Sequence, residues 1–125
     1  MHYAVLEIRL FQRWGRIEDL EEAVEKGKHA VAETRKENEV YAERLNNFGV
    51  MLESRYERTG AMEDLEEALQ VTQHAWRRKN ATPFVRVRAS TQALQLLQSQ
   101  QDFESAYSLS VQAINLLPYI HKVGR

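Results

Sequence analysis

The sequence predicts an all-α protein assembled from helical hairpins that repeat along the chain, and three observations predict it. The stretch RWGRIEDLEEAVEKGKHAV at 13–31 returns as RTGAMEDLEEALQVTQHAW at 58–76. Within each copy the apolar residues fall three and four apart, the period of an amphipathic helix and not of a strand. A glycine, Gly15 and then Gly60, separates two such stripes at the same place in both copies. A repeat on this scale marks an architecture in which one hairpin cannot bury its own apolar face and must stack on its neighbours.

Sliding the chain by 45 positions matches Val5 with Val50, Arg13 with Arg58, 18–23 with 63–68, and His29 and Ala30 with His74 and Ala75; eleven of thirty-five positions are identical. Other pairs exchange one apolar residue for another: Tyr3 for Phe48, Leu6 for Met51, Phe11 for Tyr56, Ile17 for Met62 and Val24 for Leu69. A weaker third copy stands at a shift of 38, where Asp102, Glu104, Ala106 and Ala113 answer Asp64, Glu66, Ala68 and Ala75, with Phe103 in place of Leu65. The units run roughly over 1–37, 38–80 and 82–118, with a tail at 119–125, in a single domain 1–125.

The elements follow in order. Met1 aligns with Asn46, so unit one begins part-way through a first helix, and a terminal stacking face left open to water predicts self-association or stabilisation by an added upstream helix. After Gly15 comes a second helix whose Asp19 and Glu22 have capping-box spacing; the polar 36–39 then breaks the chain. In unit two, Leu45, Phe48, Leu52 and Tyr56 form one stripe with Gly49 on the same side, and Met62, Leu65, Leu69, Thr72 and Trp76 form the next. Gly60 ends the first because glycine takes the left-handed conformation at little steric cost. Glu63 and Asp64 place negative charge at the positive end of the second helix, and Asp64 with Glu67 has capping-box spacing. In unit three, Thr82 and Pro83 make a helix start, so the alternation at 84–88 is read as helix, and Gln100 and Gln101 make a weak turn. Small residues at matching places, Ala23, Ala68 and Ala106 among them, let neighbouring helices approach closely.

Composition excludes several classes of function. Seventeen Lys and Arg against eighteen Asp and Glu leave a formal net charge of −1, with no basic excess for phosphate contacts. The chain has no cysteine, which removes disulfides, thiolate metal sites and thiol nucleophiles together. No apolar run approaches the roughly 20 residues that span a bilayer, and Glu7 and Arg9 interrupt what would be a signal peptide's apolar core, so a cytoplasmic setting is expected.

Chemistry-bearing motifs are missing in the same way. His2, His29, His74 and His121 are widely spaced, with no pair four apart to hold zinc. His29 and His74 are repeat-equivalent, which reads as a helix surface or packing position. The acidic runs at 18–22 and 63–67 suit first helical turns better than a shared catalytic cleft. The five glycines are isolated, so no phosphate loop exists, and no catalytic triad has a local motif. Catalytic, cofactor and metal sites are accordingly expected to be absent. The basic 77–79 with Arg86 and Arg88 is the one local charge concentration; it reads as a helix end complementing the dipole rather than as a phosphate patch, and Trp76 beside it reads as core.

Leu45 to Leu52 as LNNFGVML, then ALQVTQHA at 68–75 and AYSLSVQAINLLP at 106–118, resemble the tetratricopeptide repeat in nearly the whole chain. Two departures stand out: the first helices of units one and two are about two turns longer than a 34-residue repeat allows, and Gly27 and Thr72 sit where an aromatic residue is expected. Both are similar to longer fungal repeats that often precede a caspase-like CHAT protease domain. The resemblance implies a right-handed α-solenoid whose first helices line a concave groove for a peptide or partner protein. Carried over residue by residue, it puts Val5 and Ile8 on that groove in unit one, Glu43, Asn46, Val50 and Glu53 in unit two, and Arg88, Thr91, Gln95 and Gln98 in unit three. It also implies that tight capture of a terminal carboxylate is absent, because the pair of lysines used by clamp-type members is missing. The two functions implied are a protein-interaction scaffold, with no nucleic-acid or membrane partner, and an intramolecular regulatory module of a larger enzyme.

Overall fold

The computed structural model describes residues 16–116. Five helices follow one another: α1 Ile17–Glu33, α2 Tyr41–Thr59, α3 Met62–Trp76, α4 Pro83–Ser99 and α5 Phe103–Ile114, with no strand among the described residues. Each helix packs against its neighbour in sequence, and α2 also packs against α4. The expected first helix of unit one, Gly15 and the tail at 119–125 lie outside the described residues.

Local chemistry explains most boundaries. Gly60 has φ 74°, and its N–H donates to the Tyr56 carbonyl at 2.7 Å, closing α2. A β-carbon at Gly60 would meet nothing within 4 Å, so the backbone conformation and not space requires glycine there. Thr82 caps α4 by accepting from the Val85 N–H at 3.4 Å, with Pro83 as the first helical residue. Residues 84–88 are helical, as that start signal requires. Asp102 caps α5, accepting from the Ser105 N–H at 3.1 Å, and the turn before it carries Gln101 at φ 60° without a glycine.

The capping boxes expected from Asp19 with Glu22 and Asp64 with Glu67 do not form around an acidic cap. Both aspartates are the third residue of their helix, with Arg16 and Ala61 at the caps. Asp19 accepts from the Arg16 backbone N–H at 3.3 Å. Asp64 instead faces α2, where Arg55 donates Nε to Oδ2 at 2.9 Å and Nη2 to Oδ1 at 2.8 Å. The side chain of Asp64 is 9% exposed and that of Arg55 27%. This paired, nearly buried carboxylate raises the Arg55 pKa, first through the hydrogen bond.

Arg55 meets Asp64 at one end of the α2–α3 pair, while Gly49 lies against Ala68, Val71 and Thr72 farther along. Falling numbers on α2 therefore meet rising numbers on α3, and the two helices run antiparallel. At Gly49 they come so close that an added β-carbon would sit 2.6 Å from Thr72 Cγ2 and 3.1 Å from Val71 Cγ2. Gly27 makes the corresponding approach between α1 and α2, where a β-carbon would stand 2.8 Å from Met51 Sδ and 3.3 Å from Phe48 Cδ1. Of the two departures from an aromatic, Gly27 has Phe48 and Met51 lying over it, and Thr72 is fully buried with its hydroxyl donated to the Ala68 carbonyl of its own helix at 2.9 Å.

Two apolar clusters make the core. Val24, Phe48, Leu52, Leu65, Ala68 and Leu96 form one; the other runs from Tyr41, Ala42 and Leu45 through Trp76 and Ala89 to Leu109. Val31, Leu69 and Val71 pack against both. Leu20, Leu52, Leu65 and Leu96 are sealed from water, and each such side chain contributes about 1.5 to 3 kcal/mol relative to an exposed one.

Candidate functional site

The expected groove residues of units two and three lie on α2 and α4, which pack against each other. The stripe Glu43, Asn46, Val50 and Glu53 lies on α2, and Arg88, Thr91, Gln95 and Gln98 repeats its spacing on α4. The helices come together there through side chains: Gln92 Nε2 on α4 donates a short hydrogen bond to Glu53 Oε1 on α2. Glu43, Val50 and Glu53 are half-buried, and Arg88, Thr91, Gln95 and Gln98 are exposed. Thr91 donates its hydroxyl to the Val87 carbonyl at 3.0 Å.

Asn46 does not join this surface. It is 2% exposed, and its Oδ1 accepts no hydrogen bond among the described residues. The carried-over pattern counts turns along α2 but takes no account of the elements that close over it. Val5 and Ile8 lie outside the described residues. Gln92, by contrast, belongs to the face without having been expected there. The signal was available: it stands four residues after Arg88, one helical turn along the same side.

Burial at this junction pushes the Glu53 carboxyl above its usual 4.5; the hydrogen bond from Gln92 opposes the shift, and the charge of Glu57 adds to it. With the folded value above the unfolded one, stability is complete below the ordinary carboxylate range and declines as pH rises through the raised folded value. Glu53→Gln keeps an acceptor for Gln92 and removes the charge. Its melting temperature should exceed that of the parent at pH 7, with the difference closing near about pH 3. Melting curves at both pH values check this, and an equal gain at both would contradict it.

Within the basic concentration at 77–79 with Arg86, Arg78 and Arg86 hold a loop and a helix end. Arg78 Nη2 donates to the Lys36 carbonyl at 2.8 Å, and its guanidinium lies 5.1 Å from the Tyr41 ring centre. Asn80 Nδ2 donates to the Glu37 carbonyl at 3.1 Å. The α3–α4 loop is therefore pinned alongside the α1–α2 loop, its counterpart in the repeat. Arg86 Nε donates to the Trp76 carbonyl at 2.8 Å, satisfying the open end of α3. Trp76 is buried, with its Nε1 unbonded among the described residues, and Arg77 lies 5.6 Å from its ring centre.

Among the described residues, no three His, Cys, Asp or Glu side chains gather in a way that would hold a metal ion. No helix among them is long and apolar enough to cross a membrane. No family model matches the chain, and no curated protein or solved structure matches it either.

Proposed function

We propose that the protein is an interaction scaffold of the tetratricopeptide kind, a right-handed α-solenoid that holds a peptide or partner protein against the α2–α4 face. The observation that carries this reading is the contact between α2 and α4. First helices of successive hairpins pack against each other and are joined by Glu53 and Gln92, which supports reading their stripes as one surface. Three features support the repeat: Gly49 and Ala68 at the hairpin contact, Gly60 at its turn, and paired loops at Lys36 and Arg78. The scaffold is not itself an enzyme and needs no cofactor; its setting is the cytoplasm.

The surface mixes carboxylate, amide, hydroxyl and apolar groups with one arginine, Arg88, among the named residues. Such a face suits an extended segment read by several moderate contacts, not an anchored terminal carboxylate. The test is a selection of displayed random peptides against the folded chain, including an arm with acidic free C-termini. Selected peptides should lose binding to a Val50→Lys, Gln95→Lys variant and should tolerate amidation of their ends. A selection yielding only peptides indifferent to that variant would overturn the groove. Loss of binding on amidation would instead show a carboxylate clamp.

A further inference from the structure

A cleft of about 170 Å³ opens where α3, α4 and α5 meet. Gln73, Trp76 and Arg77 line it from the end of α3, and Leu97 of α4 with Leu109 of α5 supplies an apolar wall. Ser108 and Gln112 border it from α5, and no acidic side chain stands among the described residues that line it. None of these residues belongs to the stripes on α2 and α4.

The charged group of this cleft and its buried polar group are both donors. Arg77 lies 5.6 Å from the Trp76 ring centre and enters no ion pair among the described residues. Trp76 is 5% exposed, and its indole Nε1, which can only donate, has no partner among the described residues. A buried donor without an acceptor bears the full cost of leaving water, so an acceptor that reaches it is favoured. Gln112 Nε2 donates to Ser108 Oγ at 3.4 Å, which leaves the hydroxyl hydrogen of Ser108 for another acceptor. The size of the cleft sets the size of its occupant. It is smaller than the roughly 300 to 1,000 Å³ of sites that take drug-sized molecules.

We infer that this cleft binds a small monocarboxylate with a short apolar or aromatic body. The carboxylate lies between the Arg77 guanidinium and the Trp76 indole N–H, with the Ser108 hydroxyl at its edge, and the apolar body rests against Leu97 and Leu109. A guanidinium pairs with a carboxylate through two parallel hydrogen bonds, and inorganic phosphate offers it the same oxygens. The leucine wall decides between them, because only the organic anion has an apolar part to bury there.

Benzoate is the probe. Titrated at constant ionic strength into the nitrogen-15-labelled chain, it should move the indole N–H resonance of Trp76 saturably, with a midpoint of about 1 to 10 mM. The chain has two tryptophans, and Trp14→Phe identifies the signal to follow. Arg77→Gln should raise the midpoint about tenfold. Ser108→Phe, at an exposed position on the rim, should fill the cleft and abolish the shift. Circular dichroism confirms that both variants keep their helices. Benzamide, which has the shape without the charge, should bind about tenfold more weakly or worse, and inorganic phosphate should leave the signal in place. No saturation by about 50 mM benzoate, or a shift that neither variant changes, would overturn the inference. Equal binding of benzamide or of phosphate would overturn it too, since the cleft would then select neither the charge nor the apolar body.

Discussion

Replacing Arg55 with alanine should cost about 2 to 3 kcal/mol of folding stability. The reason is what it leaves behind. Asp64 keeps its side chain 9% exposed and loses both hydrogen bonds that hold its carboxylate, at 2.9 and 2.8 Å. An uncompensated buried charge is more costly than a missing pair, so removing Asp64 as well should recover part of the loss. The partial exposure of Arg55 keeps the expected cost at the lower end of the range for buried pairs. Urea titrations of Arg55→Ala, Asp64→Ala and the double variant measure the coupling directly. A single variant within about half a kcal/mol of the parent would mean that the pair makes no net contribution to the α2–α3 contact.

Leucine in place of Ala68 should cost about 1 to 3 kcal/mol, and the same change at Ala61 should stay within about half a kcal/mol. Ala68 is fully buried, and its carbonyl is 3.5 Å from where a β-carbon on Gly49 would stand. Three extra carbon atoms at that crossing must displace Thr72, Val71 or the backbone of α2. Thr72 has little room to yield, since it is β-branched, fully buried and bonded to the Ala68 carbonyl. Ala61 lies at the turn between the helices, partly exposed and outside the crossing. Equal denaturation midpoints for the two variants would place the helix contact elsewhere and shift the whole repeat register.

Much of this fold is legible along the chain because its causes are local. Gly60 closes a helix through its own φ, Thr82 caps one through an N–H three residues on, and Pro83 starts one through its fixed ring. The apolar stripes of α2 and α3 announce a buried face whatever it packs against, and repetition at 45 residues shows that like units follow one another. The turn at Gln101 was faint because a non-glycine residue holds the left-handed conformation there.

The candidate site was legible only as a stripe. The resemblance to the tetratricopeptide pattern pointed to Glu43, Val50, Glu53, Arg88, Thr91, Gln95 and Gln98, and α2 and α4, which carry them, do pack against each other. It could not reveal that Gln92 would bond to Glu53, because that bond depends on the offset between α2 and α4, set by packing at both. Asn46 was misplaced for a similar reason: position on a helix wheel does not say what closes over it.

By itself, then, the sequence determined which residues become helices, where they break and which side of each is apolar, since those are matters of a few neighbouring residues. Tertiary structure alone decided how the charged side chains are used. Asp64 has the look of a capping acid and becomes the partner of Arg55; Arg78 has the look of a solvated cation and clamps the carbonyl of Lys36, forty-two residues away. It likewise decided that Phe103 and Ile114 are exposed while Leu65 and Trp76, their equivalents in the repeat, are buried. A backbone preference is satisfied within one turn, whereas a long charged or aromatic side chain is satisfied by whatever the packed helices bring within its reach.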